Sequence, residues 1–391
     1  MTARRRIGLA VVGFGWMGQA HARSYLRLPT LFADRCYEPD LAVCSDTVAA
    51  RRRRAVDAFG FRGAEEDWRA AVERADVDAV VICAPNMLHE PVAVAAAAAG
   101  KHVFCEKPAG GTPEGTARIE RACRQAGAVT GVGYNYRFAP LVVHARQLLE
   151  AGELGAVTNY RGRFFSMYGA DPLGLLTWRF LRDRAGYGVS TDILSHAVDL
   201  AMMLNGPITR VMGTTATFIA ERPLPSGAGT HYDRGAPEDA TAAVTNEDYA
   251  GCLAVFANGS RGSFEASRTM VGPQSQMAFD VYGSGGALSW NLETMNEMQV
   301  FRAADPLGGY TTVRAGERHP YQAHFVPGDA NAIGFEDLVA IEDHEFLTAV
   351  AEDRPHSAGM AEALACVSVQ DALLRSDRSG AWEDVVSLRM D

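Results

Sequence analysis

Asp192, His196 and Asp199 stand at i, i+4 and i+7 in a stretch, 190–204, that is apolar around nearly the whole helical wheel. Ser190 or Thr191 can cap such a helix, Asp192 suits its first turn, and Gly206-Pro207 ends it. A buried helix carries a titratable stripe only at a cost of several kcal/mol for each unpaired charge, so the three groups either satisfy one another or serve chemistry. A histidine near pH 7 can take a hydroxyl proton, an effect worth typically 100- to 10,000-fold in rate. A lysine beside the same oxygen would stabilise the alkoxide, with about 4 kcal/mol available at about 4 Å and an effective dielectric of about 20. Lys107, in Glu106-Lys107-Pro108, is the candidate. With an acid one turn away to orient the hydroxyl or tune the pair, the set suits oxidation of a secondary alcohol.

Such an oxidation needs a hydride acceptor, and the chain opens on a place to hold one. Residues 7–12 read as a short buried strand and 17–28 as a helix, with Gly13-Phe14-Gly15-Trp16-Met17-Gly18 between them. A glycine-rich strand-to-helix turn lets backbone N–H groups approach a pyrophosphate at the positive end of the helix dipole. The pattern alone is weak in a chain with 39 glycines, but its position at the first strand-helix junction strengthens it. Asp46 closes the next apolar run, 41–46, where it could accept the adenine ribose hydroxyls. Its spacing from Gly18 exceeds the usual figure of about 20 residues, which predicts a surface insertion over 29–40. Further strands over 77–83 and 101–105, separated by alanine-rich helical sequence, imply a parallel sheet covered on both faces. Lys107 then stands at the carboxyl edge of that sheet, where ligands of open parallel sheets bind. One of the arginines 51–54 near the ribose 2′-position would favour NADP, but most of four consecutive helical residues must be solvated. A 2′-phosphate would also meet Asp46 first, so the expected cofactor is NAD in preference to NADP.

The 391 residues suffice for two domains, and the net charge of −10 argues against nucleic acid and anionic membranes as partners. Seven cysteines without a C-x-x-C or a zinc-like Cys/His spacing read as free thiols in a reducing cytoplasm; no metal is expected. No run approaches about 18 apolar residues, and a signal peptide cleaved after the first apolar run would remove the strand and its glycine turn. Beyond residue 156 the pattern changes to successive strands, 157–165, 208–219, 249–256, 260–268, 276–282, 287–292 and 298–301, with reversals at Asn258-Gly259 and over 283–286. Helices return over 335–352 and 360–375, and 221–239 reads as a long excursion loop. The expected fold is α/β: an N-terminal Rossmann doubly wound parallel sheet (1–133), then a C-terminal α+β domain (134–391) with a large, mainly antiparallel open sheet. An open sheet face must be covered, which predicts a homodimer or homotetramer.

The G-F-G-W-M-G turn, A-P-N-M-L-H over 84–89, E-K-P over 106–108, Y-N-Y-R-F-A-P over 134–140 and D-I-L-S-H over 192–196 together resemble the Gfo/Idh/MocA oxidoreductases across essentially the whole chain. The resemblance implies Lys107, Asp192 and His196 as catalytic residues. It implies Pro85, Asn86, His89, Glu106 and Asn135 near the nicotinamide half of the cofactor, and Tyr136, Arg137, Trp178 and Arg179 as substrate-pocket positions. Within the family, T-W-R-F over 177–180, E-R-P-L over 221–224 and H-P-Y over 319–321 look most like the levoglucosan dehydrogenase and glycoside 3-dehydrogenase branch, where His324 would reach the sugar. Ile193-Leu194-Ser195 departs from the family, many of whose members carry a glycine there.

The expected activity is transfer of hydride to NAD from a ring hydroxyl, C3-OH, of a sugar, anhydrosugar or glycoside. A cyclitol such as an inositol is the near alternative; another is an NAD-dependent glycosidase or lyase acting through transient 3-oxidation, in which NADH does not accumulate. A non-catalytic NAD or sugar sensor would not need Lys107, Asp192 and His196 together.

Overall fold

The computed structural model describes residues 4–227 and 229–388; the outer limits 1 and 391 of the two expected domains, and Ala228 of the excursion, lie outside them. Six strands form the first sheet: β1 (Arg5–Val12), β2 (Tyr37–Ser45), β3 (Ala64–Glu65), β4 (Ala79–Ile82), β5 (His102–Cys105) and β6 (Thr130–Val132). They run parallel in the order β3-β2-β1-β4-β5-β6, which is the doubly wound arrangement with its switch point between β1 and β4. Ile7, Leu9, Val11, Val80 and Val81 are fully buried, as sheet centres covered on both faces require.

The expected insertion over 29–40 is absent. The helix after β1 runs through Pro29 to Leu31 (Trp16–Leu31), and β2 already starts at Tyr37. The long spacing to Asp46 is taken up by regular structure: an additional helical turn and a nine-residue strand. Pro29 gives up one backbone N–H bond inside this helix, two residues before its end.

The remaining strands are β7 (Val157–Phe165), β8 (Ile208–Ala216), β9 (Glu221–Pro223), β10 (Thr241–Ala243), β11 (Tyr249–Phe256), β12 (Arg261–Ser267), β13 (Gln276–Gly283), β14 (Gly286–Asn291), β15 (Glu297–Arg302), β16 (Tyr310–Arg314) and β17 (Glu383–Asp384). Nine of them make one sheet in the order β16-β15-β14-β13-β7-β12-β11-β8-β17, antiparallel except where β12 meets β7. One face carries Tyr160, Phe164, Phe264 and Phe279 against the helices Leu194–Asn205 and Met360–Ser379. The other face presents, in register across five strands, Leu253, Ser263, Arg161, Asp280 and Ser289. β9 and β10 pair separately and close the base of the excursion.

The helix Phe335–Glu352 returns from the second sheet to pack along the helix Trp16–Leu31, with ion pairs Arg23–Glu336 and Arg27–Asp337, both at 2.5 Å. The edge of Phe346 meets Phe104 of β5, so this late segment covers one face of the parallel sheet and locks the two sheets together. Among the described residues, no helix is long and apolar enough to cross a membrane.

Candidate active site

A cavity of about 1460 Å³ runs from the carboxyl edge of the parallel sheet into the second domain. At its near end β1 stops at Val12 and the chain turns at Gly13, whose φ of +91° lies where side chains are disfavoured. A Cβ on Gly13 would stand 2.6 Å from the Ala84 nitrogen, and one on Gly18 2.0 Å from the Gly13 carbonyl oxygen. These two glycines are therefore required by packing of turn, strand and helix. Gly15 differs: nothing lies within 4 Å of where its Cβ would be, and it faces the cavity together with Gly13, Trp16 and Met17.

Phe14 and Gly18 do not line the cavity. Phe14 is fully buried, edge-on to Phe59 and Phe61 at 5.0 and 5.6 Å. Its N–H donates to Asp46 Oδ2 at 2.8 Å, while Asp46 Oδ1 accepts from the Val48 N–H at 2.8 Å. Arg51 reaches Asp46 Oδ2 at 3.4 Å, and Arg52 donates instead to the Asp46 carbonyl and to Glu66. This end is thus an acid fixed by two backbone N–H groups, with one arginine at its edge.

Further along, Pro85, Asn86, His89, Glu106 and Asn135 line the middle of the cavity. Asn86 donates to the Ala185 carbonyl at 2.9 Å, and the His89 ring nitrogens lie 2.8 and 2.7 Å from the Pro108 and Ala84 carbonyls, tying the E-K-P turn to the end of β4. The Lys107–Pro108 peptide is cis. The Asn135 amide nitrogen is buried without a hydrogen-bond partner among the described residues, so it is a donor that a cofactor acceptor could satisfy. Glu106 is anchored from behind: His21, fully buried, meets Glu106 Oε1 at 3.0 Å with Nε2 and Asp343 Oδ1 at 2.9 Å with Nδ1. Burial opposes protonation of His21, but Asp343 and then Glu106 outweigh it and raise its pKa well above 6.5.

The far end holds the catalytic candidates. Lys107 Nζ donates to Asp192 Oδ1 at 2.9 Å and to the Asp192 main-chain carbonyl at 2.8 Å. Asp192 Oδ2 accepts from the Tyr168 hydroxyl at 3.0 Å and from Arg179 at 2.9 Å. Burial pushes the carboxyl toward protonation, yet Lys107, Arg179 and Tyr168 hold it well below the usual carboxylate range. His196 lies beside them, 4.6 Å from the Tyr136 ring; burial, and then Lys107, lower its pKa well below 6.5, so the ring is neutral at pH 7.

The single helix expected over 190–204 is broken into Val189–Asp192 and Leu194–Asn205. At the junction the His196 N–H bonds to Ile193, at 3.3 Å, and the Asp192 carbonyl turns to Lys107. A helix whose carbonyl finds a lysine ammonium no longer needs the next turn to satisfy it.

Two expected substrate positions are not at the cavity. Arg137 forms a buried two-pronged pair with Asp199, at 2.7 and 2.5 Å, and donates to the Ser357 carbonyl at 2.6 Å. Asp199, the third member of the stripe, is thus turned away because a fixed guanidinium fork claims it. His324 sits behind the helix Trp16–Leu31, 3.1 Å from the Leu31 carbonyl and with its ring 4.5 Å from Phe32. Tyr136, Trp178 and Arg179 do line the cavity.

Sequence reasoning missed Tyr168, just past β7, and His231 and Tyr232 of the excursion, all of which border the far end. The signal available for Tyr168 was its place beyond a strand aimed at the helix of Asp192; the excursion, without periodicity, offered none.

The cavity's shape suits a dinucleotide: open space over Gly15, an acid at one end, an unpartnered amide midway and the cluster of Lys107, Asp192 and His196 at the other end. Residues 7–134 match the oxidoreductase family with the NAD-binding Rossmann fold, and residues 142–289 match the GFO/IDH/MocA C-terminal domain. The chain is 34% identical to levoglucosan dehydrogenase of Pseudarthrobacter phenanthrenivorans over 385 residues, 97% of this chain and 98% of that protein. It is 28% identical to scyllo-inositol 2-dehydrogenase (NAD(+)) of Bacillus subtilis over 53% of this chain and 57% of that protein. A solved levoglucosan dehydrogenase, in complex with NADH and levoglucosan, superposes with a TM-score of 0.91 at 33% identity, covering 97% of this chain and 100% of the other.

Proposed function

The chain belongs to the GFO/IDH/MocA oxidoreductase family, and from that premise we propose that it is an NAD-dependent sugar dehydrogenase oxidising a ring hydroxyl, C3-OH, of a sugar, anhydrosugar or glycoside to the ketone. The observation that carries this reading is the convergence of Lys107, Asp192 and His196 at the end of a dinucleotide-shaped cavity.

NAD, when bound, supplies the acceptor for the hydride that leaves the substrate carbon. Gly13, Gly15, Trp16 and Met17 would border its pyrophosphate, Asp46 its adenine ribose, and Pro85, Asn86, His89, Glu106 and Asn135 its nicotinamide half. Lys107 commits two donors to Asp192, which leaves its third N–H for the substrate oxygen. The ammonium favours alkoxide over alcohol, and neutral His196 takes the departing proton. Arg179 and Tyr168 keep Asp192 ionised, and the carboxylate in turn keeps the ammonium aimed. Tyr136, Trp178 and Arg179 form walls about the sugar.

We further propose the division into a cofactor domain, 1–133, and a substrate and oligomerisation domain, 134–391; a homodimer or homotetramer built on the open face of the nine-stranded sheet, where Leu253 is exposed; and a cytoplasmic location, in keeping with seven free cysteines.

A panel of pyranosides, anhydrosugars and cyclitols, screened by NADH absorbance, tests the function. Stoichiometric NADH and ketone from a pyranoside or anhydrosugar support it. A response to cyclitols alone shifts the substrate to inositols, and product without net NADH replaces oxidation with elimination.

A further inference from the structure

We propose that the excursion between β9 and β10 builds an outer subsite for a second pyranose ring, making the preferred substrate a disaccharide rather than a single sugar. This rests on the reading of Lys107, Asp192 and His196 as the alcohol-oxidising cluster.

The excursion is held at both ends. β9 and β10 zip its base, extended by the Leu224 N–H donating to the Ala240 carbonyl at 2.8 Å. At its tip, Asp233 Oδ2 accepts from the N–H and hydroxyl of Thr230 at 2.6 and 2.9 Å. The tip is docked on the segment that leads to Trp178: the Leu175 N–H donates to the Asp233 carbonyl at 3.0 Å, the Gly235 N–H to the Leu173 carbonyl at 2.8 Å, and Arg234 pairs with Asp171 at 2.9 Å. The tip therefore carries His231 and Tyr232 on a main chain tied on both sides.

Those rings continue a row that begins at the reacting group. Tyr168 bonds Asp192 through its hydroxyl, the Tyr168 and His231 rings meet edge to face with centroids 5.4 Å apart, and the His231 and Tyr232 ring centroids lie 4.0 Å apart. Burial, then Arg179, lower the His231 pKa to about 4, so the imidazole is neutral and can exchange hydrogen bonds with hydroxyls without drawing in a counter-ion. Tyr232 borders the same cavity yet keeps 75% of its surface exposed. A solvent-facing aromatic carried on a tethered main chain at a cavity mouth, beside the polar groups of Asp171, Asp233 and Arg234, is a surface for an amphipathic ring. A pyranose has that character, with C–H faces and a hydroxyl rim. A single sugar whose hydroxyl rests on Lys107 and His196 spans one ring; Tyr232 stands two ring contacts beyond Asp192, within reach of an attached residue.

The test compares cellobiose with methyl β-glucoside, for wild type and Tyr232→Ala, by steady-state NADH formation and by calorimetric binding to the NADH-loaded protein. In wild type, kcat/KM and affinity favour the disaccharide. Tyr232→Ala lowers that preference about ten-fold, through KM rather than kcat, and Tyr232→Trp restores it. A preference unchanged by Tyr232→Ala, or a wild type that favours the methyl glucoside, overturns the subsite. Calorimetry keeps this result separate from the dehydrogenase reading, which is decided by NADH formation across the wider panel of pyranosides, anhydrosugars and cyclitols, whereas the subsite is decided by the binding of these two probes.

Discussion

His21 is hydrogen-bonded to Glu106 at 3.0 Å, and through this contact a helix of the first domain braces the turn that carries Lys107. The other ring nitrogen holds Asp343, on the late helix Phe335–Glu352, so one buried imidazolium spans three segments distant in the chain.

The His21 pKa, raised well above 6.5 by Asp343 and Glu106 against burial, sets a sign for stability. The unfolded ring titrates near 6.5, so the stabilisation is fully present below that pH and is lost as pH rises through the folded value. Urea unfolding from pH 6 to 9 should therefore show wild type losing stability that a His21→Gln variant does not. Parallel profiles for the two proteins would remove the charged triad.

Lys107→Ala should lower kcat/KM about 100- to 1000-fold while NADH binding, followed by fluorescence titration, changes little. Lys107 also helps hold the His196 pKa below 6.5. The acid limb of wild-type kcat/KM should accordingly lie below pH 6.5, because activity needs neutral His196. In the variant the limb should move upward; a limb that stays in place would unlink the two residues.

Asp46 is fixed by the N–H groups of Phe14 and Val48 where a 2′-phosphate would approach. Wild type should prefer NAD, and Asp46→Ser should cut the ratio of kcat/KM for NAD over NADP at least about ten-fold, leaving Arg51 to meet the phosphate. A wild-type preference for NADP would reverse the assignment of both residues.

Breaking the buried Arg137–Asp199 pair leaves an uncompensated charge. Asp199→Ala should cost about 3–5 kcal/mol in chemical unfolding, and the double change Arg137→Leu with Asp199→Leu should recover much of that loss. If the single and double variants are equally unstable, the cost arises from packing alone.

The sequence carried the cofactor end plainly because its demands are local: a glycine that must take positive φ, a helix start, and an acid at the next strand end. Strand alternation likewise placed β7, β11 and β13 within a residue of where they lie. What escaped were choices made between distant segments. The stripe of Asp192, His196 and Asp199 is helical in spacing, but which acid faces the cavity is decided by Arg137, 62 residues away from Asp199. His21 falls among buried positions of an amphipathic helix and reads as core until Glu106 and Asp343 close upon it. Nothing in the excursion's composition says where its tip docks, since that depends on main-chain bonds to residues 173–175.

Because the ammonium of Lys107 rests partly on a peptide oxygen at Ile193's doorstep, no replacement of the Asp192 side chain can strip away that support. Substitutions at 192 will therefore report on the carboxylate's own contribution with the lysine still tethered, a separation that sites built wholly from side chains do not permit.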